Sequence, residues 1–150
     1  MAESTYQVWS MERTKNGPDK PEPTNADPQT GGTLWQSWRM NRDDTIDVRY
    51  SRVGAGQRTG AHLHPDTNQY TAIVEGHALV WMDGDMVELG PGDIILIPRN
   101  VLHNFGAAAE GDCWIVDLTS PPWEPSLMEF RPERDEEINE AFEKALSSST

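Results

Sequence analysis

From Thr33 onward, apolar residues come in short runs separated by turn-forming residues. The runs are LWQSWRM, TIDVRYSRV, GAHLH, QYTAIVE, HALVWM, MVEL, DIILIP, LHNFGA and CWIVDLT. Their separators are Asn41-Arg42-Asp43-Asp44, Gly54-Ala55-Gly56, Asp83-Gly84 and Gly90-Pro91-Gly92. Runs of this length, rich in β-branched and aromatic residues and punctuated by Gly, Pro, Asn and Asp, read as strands. Asp83-Gly84 between HALVWM and MVEL is a two-residue hairpin signal, because both central positions of such a turn need a positive φ. Many short strands in one chain predict a β-sandwich or barrel. Strand alternation places Cys113, Ile115 and Asp117 on one face of CWIVDLT, and Ile46, Val48 and Tyr50 on one face of TIDVRYSRV.

The two ends of the chain follow other patterns. Residues 1–33 are rich in Pro, Gly, Asn, Asp and Thr and predict an irregular arm, with Tyr6, Val8, Trp9 and Met11 as apolar anchors against the barrel or a second subunit. Residues 34–125 form the β-domain. Within 126–150, a proline-stiffened connector leads to PERDEEINEAFEKALSSS, in which Ile138, Phe142, Ala145 and Leu146 recur at helical spacing behind an acidic first turn. That predicts one amphipathic helix lying against the barrel or a partner.

At 150 residues the chain suits one domain with a core of its own. Its 25 acids against 12 bases give a formal charge of −13 with no basic cluster, which argues against nucleic acid and anionic membranes as partners. No run of 18 apolar residues occurs, and the N-terminal residues lack an apolar signal core, so a cytoplasmic location is the expectation. Cys113 is the only cysteine, which rules out an intrachain disulfide and suits a packing role in its strand.

Candidate chemistry centres on three of the four histidines. His62 and His64 are two apart, so on an extended strand both imidazoles face the same way and can share one ion. Pro65-Asp66-Thr67-Asn68 then turns the chain, and Gln69 begins a strand that a hairpin carries back beside the pair. His103 follows a further turn, strand and proline stop. Imidazole suits zinc, iron, nickel and manganese alike, so ligand type does not choose the metal.

These residues resemble the two motifs of the cupin superfamily, over about residues 56 to 107. Gly56, His62, His64 and Gly76 stand in register with the first motif, and Gly92, Pro98 and His103 with the second. Three positions depart from it: Gln69 stands where the family usually has glutamate, Asn100 replaces the glycine before the last histidine, and Ala107 replaces the final asparagine. The resemblance implies an all-β double-stranded β-helix, a jelly-roll barrel, to which the patterns above add an irregular N-terminal arm and a C-terminal helix. It also implies one divalent metal (zinc, nickel, manganese or iron) on His62, His64, Gln69 and His103. A neutral glutamine in place of glutamate leaves the ion its full charge, a stronger Lewis acid that is harder to oxidise.

Within the superfamily the chain resembles cupins that linearise unsaturated monouronates, and is similar in size and architecture to cupin polyketide cyclases. The first likeness makes Asp117 the acid/base carboxylate, with Thr119 and Trp123 departing from that pattern; Trp123 stands where an arginine would meet a substrate carboxylate. Independently, a carboxylate in so apolar a strand is costly unless it is paired or faces a cation, and the alternative is that Asp117 caps a turn. Tyr50 is a second candidate catalytic group if its face lines the cavity. Trp38, Arg58, Phe105 and Trp123 are candidate pocket residues, though solvation at the rim is the default for Arg58 and Arg99, and core packing the usual place for Trp35, Trp38 and Trp81. Tyr70 and His77 read as packing or structural. The resulting expectation is a homodimeric, metal-dependent enzyme performing non-redox isomerisation, ring opening, cyclisation or elimination on a small oxygenated substrate. A dioxygenase and a non-catalytic ligand-binding protein are the alternatives.

Overall fold

The computed structural model describes residues 8–16, 22–23, 35–124 and 127–148. Tyr6, most of the stretch 17–34 and the boundary at 125–126 lie outside them. Eleven strands are described: β1 Glu22–Pro23, β2 Trp35–Arg42, β3 Asp47–Val53, β4 His62–Leu63, β5 Asn68–Glu75, β6 Ala78–Met82, β7 Asp85–Leu89, β8 Ile94–Ile97, β9 His103–Ala107, β10 Cys113–Ser120 and β11 Glu129–Phe130. Helix α1 spans Met11–Asn16; a one-turn 3-10 helix at Pro132–Arg134 leads into α2, Asp135–Ser148. The strands form two sheets in the orders β1-β2-β3-β10-β5-β8 (sheet A) and β11-β4-β9-β6-β7 (sheet B), with antiparallel pairing throughout. This is the jelly-roll barrel expected from the sequence.

Local chemistry explains the turns. Asp83 and Gly84 have φ of 44° and 101° between paired β6 and β7, the positive-φ two-residue hairpin expected. Gly76, at the end of β5, combines a φ of 81° with a closed space, since a Cβ there would lie 2.4 Å from the Asp112 carbonyl oxygen. Asn100 occupies its motif glycine's place with a φ of 66°, a left-handed conformation that asparagine tolerates better than most residues.

Two apolar cores result. One fills the barrel at the end bounded by Val53, Ile73, Val80, Phe105, Cys113 and Ile115. The other lies outside sheet B, where Ile138 and Phe142 of α2 cover Leu79, Trp81 and Leu102. Burying each such side chain contributes roughly 1.5–3 kcal/mol. Arg58 and Arg134 sit over Phe142 and Trp81, at 4.6 and 5.5 Å from the ring centroids, and hold this layer at its margins.

The arm contains a helical turn where irregular chain is expected. It packs on the outer face of sheet A: the Tyr50 hydroxyl donates to the Trp9 carbonyl at 3.4 Å, Lys15 pairs with Glu75 at 2.9 Å, and its ammonium lies 4.7 Å from the Trp114 ring. The connector expected before the terminal helix supplies β11, which pairs with β4.

Candidate metal centre

His62 and His103 face each other across paired β4 and β9, and His64 completes the cluster just beyond β4. One ring nitrogen from each of the three lies within 4.8 Å of the others, and all three side chains are buried. The Nδ1 of His62 lies 2.9 Å from the Gly60 carbonyl oxygen and that of His103 lies 3.0 Å from the Val101 carbonyl oxygen. A carbonyl can only accept, so each Nδ1 carries the proton and each Nε2 keeps its lone pair. His64 Nε2 is buried with no hydrogen-bond partner among the described residues. Burial holds the imidazoles neutral, lowering His62 to about 4 and His64 to about 3, the latter also through His62, and His103 well below its usual range. Three convergent neutral imidazoles, two of them oriented by backbone carbonyls and the third with an orphaned nitrogen, fit a divalent metal.

The inner face of sheet A presents polar side chains in register. Asp47, Thr119 and Gln69 form one row across β3, β10 and β5, and Arg49, Asp117 and Thr71 form the next; all six are buried. Gln69 Nε2 donates to Thr71 Oγ1 at 2.9 Å and to Asp117 Oδ1 at 3.2 Å, and Thr71 Oγ1 donates to the same Oδ1 at 2.5 Å. These bonds commit the amide nitrogen and leave the Gln69 carbonyl oxygen as the atom able to ligate. Burial pushes the Asp117 carboxyl up to about 6, against the lowering effects of Thr71, Gln69, Ser51 and the Arg49 charge. Asp117 therefore lines the barrel rather than capping a turn. Cys113, two rows deeper, is fully buried and its thiol is pushed up to about 12, by burial first and Asp117 second.

Asp47 and Arg49 went unrecognised in the sequence. The Asp47 carboxylate accepts from Arg49 Nε at 3.2 Å and Nη2 at 3.1 Å, and from Arg42 Nη1 at 3.0 Å, with Arg39 Nε 3.9 Å away. A register shift between Arg39 and Asn41 adds one residue to β2, so two arginines three apart reach the same carboxylate. Arg49 also stacks 5.2 Å from the Trp123 ring, so a barrel-lining arginine stands beside the tryptophan that replaces one.

Four expected site residues need correction or refinement. Tyr50 is on the outer face of β3, because the buried partners Asp47, Arg49 and Ser51 take the inner one. Trp38 likewise faces outward and stacks on Trp114 at 5.3 Å. Arg58 lies against α2, outside sheet B. Phe105 shares the inner face of β9 with His103, but its ring belongs to the apolar core and meets Trp35 edge-on at 5.5 Å. Trp123 keeps its place near the cavity. A contributor not anticipated is Phe130 of β11, paired with His62 and 5.6 Å from its ring.

Comparison with known proteins agrees with this architecture. A family model described as a cupin domain matches residues 49–119. Quercetin 2,3-dioxygenase of Bacillus subtilis is 31% identical over 67 residues, 45% of this chain and 20% of that protein. Polyketide synthase CurC of Streptomyces cyaneus is 29% identical over 66 residues, 44% of this chain and 43% of that one. The matched segment thus spans less than half the length of either curated relative. The solved structure of KdgF from a Halomonas species superposes with a TM-score of 0.59 at 24% identity, covering 64% of this chain and 86% of that one, a likeness of fold.

Proposed function

The chain is a member of the cupin superfamily, and from that premise we propose that it is a metal-dependent enzyme performing non-redox acid/base chemistry on a small oxygenated substrate. In this reading His62, His64 and His103 hold a divalent ion through Nε2, with the Gln69 carbonyl oxygen as fourth ligand. The ion supplies Lewis acidity, polarising a substrate oxygen and easing loss of a neighbouring proton. Asp117 takes and returns that proton, since a carboxyl near 6 exchanges protons at neutral pH. Thr71 and Gln69 fix its orientation through Oδ1. Phe130 and the apolar end of the barrel keep bulk water from the reacting atoms.

The carrying observation is the hydrogen bond from Gln69 to Asp117. It ties the ligand position where this chain departs from its family's motif to the one carboxyl suited to move a proton. The match to a polyketide synthase component favours cyclisation or a related isomerisation of a polyketide-like substrate over linearisation of a uronate. The test is elemental analysis of the purified protein, followed by anaerobic turnover assays with such substrates for wild type and Asp117→Ala. About one zinc, nickel or manganese per chain, with activity that needs no oxygen and falls about 10²–10⁴-fold in the variant, is the expected result. Intact turnover in Asp117→Ala removes the base.

A second reading, a dioxygenase, is favoured by the match to quercetin 2,3-dioxygenase. Bound iron together with oxygen consumption during turnover would establish it in place of the first. Tight substrate binding without turnover would instead point to a ligand-binding role.

A further inference from the structure

The pairing of β5 with β8 ends at Gln69 and Ile97, because the next residue, Pro98, has no N–H to give the ladder. Asn68, the first residue of β5, continues it with a side chain: its Oδ1 accepts from the Arg99 N–H at 2.9 Å. The chain then reverses over residues 98–101. The Val101 N–H reaches back to the Pro98 carbonyl at 3.3 Å, and Asn100 takes its left-handed φ of 66°. Through its backbone this turn meets two of the three histidines. The Asn100 N–H donates to the His64 carbonyl at 2.8 Å, and the Val101 carbonyl accepts from His103 Nδ1 at 3.0 Å. Gln69, the proposed fourth ligand, directly follows Asn68.

A carbonyl or N–H can orient a ligand only as firmly as its own backbone is held. Residues 98–101 bridge β8 to β9, and the Asn68 amide is the side chain that fastens this bridge to the strand carrying Gln69. The amide therefore links one ligand position directly and two others through the turn. Without it, Asn100 and Val101 can shift relative to β5, and His64 and His103 move with them. Convergence of the donors before the ion arrives is what outer-shell hydrogen bonds supply to a metal site. Asp93 offers the contrast at the other end of β8. Its Oδ2 accepts from the Gly90 N–H at 2.8 Å, the same kind of bond from a side chain to a turn. The backbone bonds of that turn run to Ile73 rather than to a ligand.

We propose that Asn68 is a positioning residue of the metal centre, acting through the backbone of residues 98–101 on His64 and His103 to set how tightly the site binds a divalent cation. The inference rests on the three-histidine cluster being the place where the ion binds. Zinc affinity of the full chain, measured by competition with a zinc-chelating dye, tests it. Wild type should bind about one zinc per chain. Asn68→Ala should bind it about 10–100-fold more weakly with its circular dichroism unchanged. Asn68→Asp keeps the acceptor and should match or exceed wild-type affinity. Asp93→Ala removes the corresponding bond at the far end of β8 and should bind zinc as wild type does. Should Asn68→Ala fail to fold, Asn68→Leu keeps the shape of the side chain without the acceptor and should show the same loss. Undiminished affinity in a folded Asn68 variant without the acceptor overturns the proposal and leaves the centre in place. So does an aspartate variant as weak as the alanine one, or an equal loss in Asp93→Ala. A wild type that binds no zinc overturns the metal centre and this inference with it.

Discussion

The inward side chains of β10 run from Cys113 and Ile115 to Asp117 and Thr119, and those of β3 from Val53 to Ser51, Arg49 and Asp47. One barrel therefore holds two interiors. Towards Cys113 the contacts are apolar and the cost of burial falls on nothing charged. Towards Thr119, carboxylates, an arginine, an amide and three imidazoles are buried together, and each is held by a named partner or by the shape of a metal site. The same strands and the same alternation make both. What differs is whether the inner position of each row is given to a side chain that stabilises the fold or to one that the fold must stabilise.

The largest effect should come from breaking the polar interior at its ligands. His103→Ala is expected to reduce bound metal from about one per chain to near zero by elemental analysis, because two imidazoles and an amide hold a divalent ion poorly. If metal remains stoichiometric, the cluster is not the site.

Acid should break the same region without a substitution. Each histidine has a folded-state pKa depressed below 6.5, so the unfolded chain binds more protons as pH falls, and stability is full above 6.5 and lost on the way down. With three such groups the metal-free protein should lose up to about 4 kcal/mol per pH unit between 6.5 and 4, read from denaturant midpoints. Zinc at saturating concentration should move this loss to lower pH.

At the apolar end, Phe105→Ala is expected to cost about 3–5 kcal/mol in the same denaturation experiment while metal content stays unchanged. A loss of metal in this variant would mean that the two interiors are coupled. Asp117→Asn should have the smallest effect on stability, and the opposite sign. A carboxyl raised to about 6 costs stability as pH climbs from about 4 to 6, so at pH 8 the metal-free variant should gain up to about 3 kcal/mol even though turnover falls. Equal stability of variant and wild type across that range would mean the carboxyl is not penalised by burial.

The contrast between the two ends also explains what the sequence disclosed. The histidines, Gln69 and Asp117 were readable because their spacing fits a motif and because alternation ties Asp117 to Cys113 and Ile115. Asp47 and Arg49 are not legible in it, since alternation alone points to the apolar face of β3 as the inner one. In a β-barrel with a polar cavity that inference reverses: Val48 and Tyr50 face outward, towards the arm, and the charged residues line the inside. Trp38, a candidate for the pocket or the core by residue type alone, faces outward beside Tyr50. Phe130 could not be foreseen, because a two-residue strand leaves no period to detect. Arg58 was mispositioned because the segment before β4 runs against α2, a contact between distant parts of the chain.

Cys113 turns the buried floor of the barrel into a clock. It is the only thiol in the chain and is fully buried, so an alkylating reagent can reach it only when the strands around it part. The rate of its labelling therefore counts openings of the barrel, and a comparison with and without bound metal reports how far an ion at one end restrains breathing at the other.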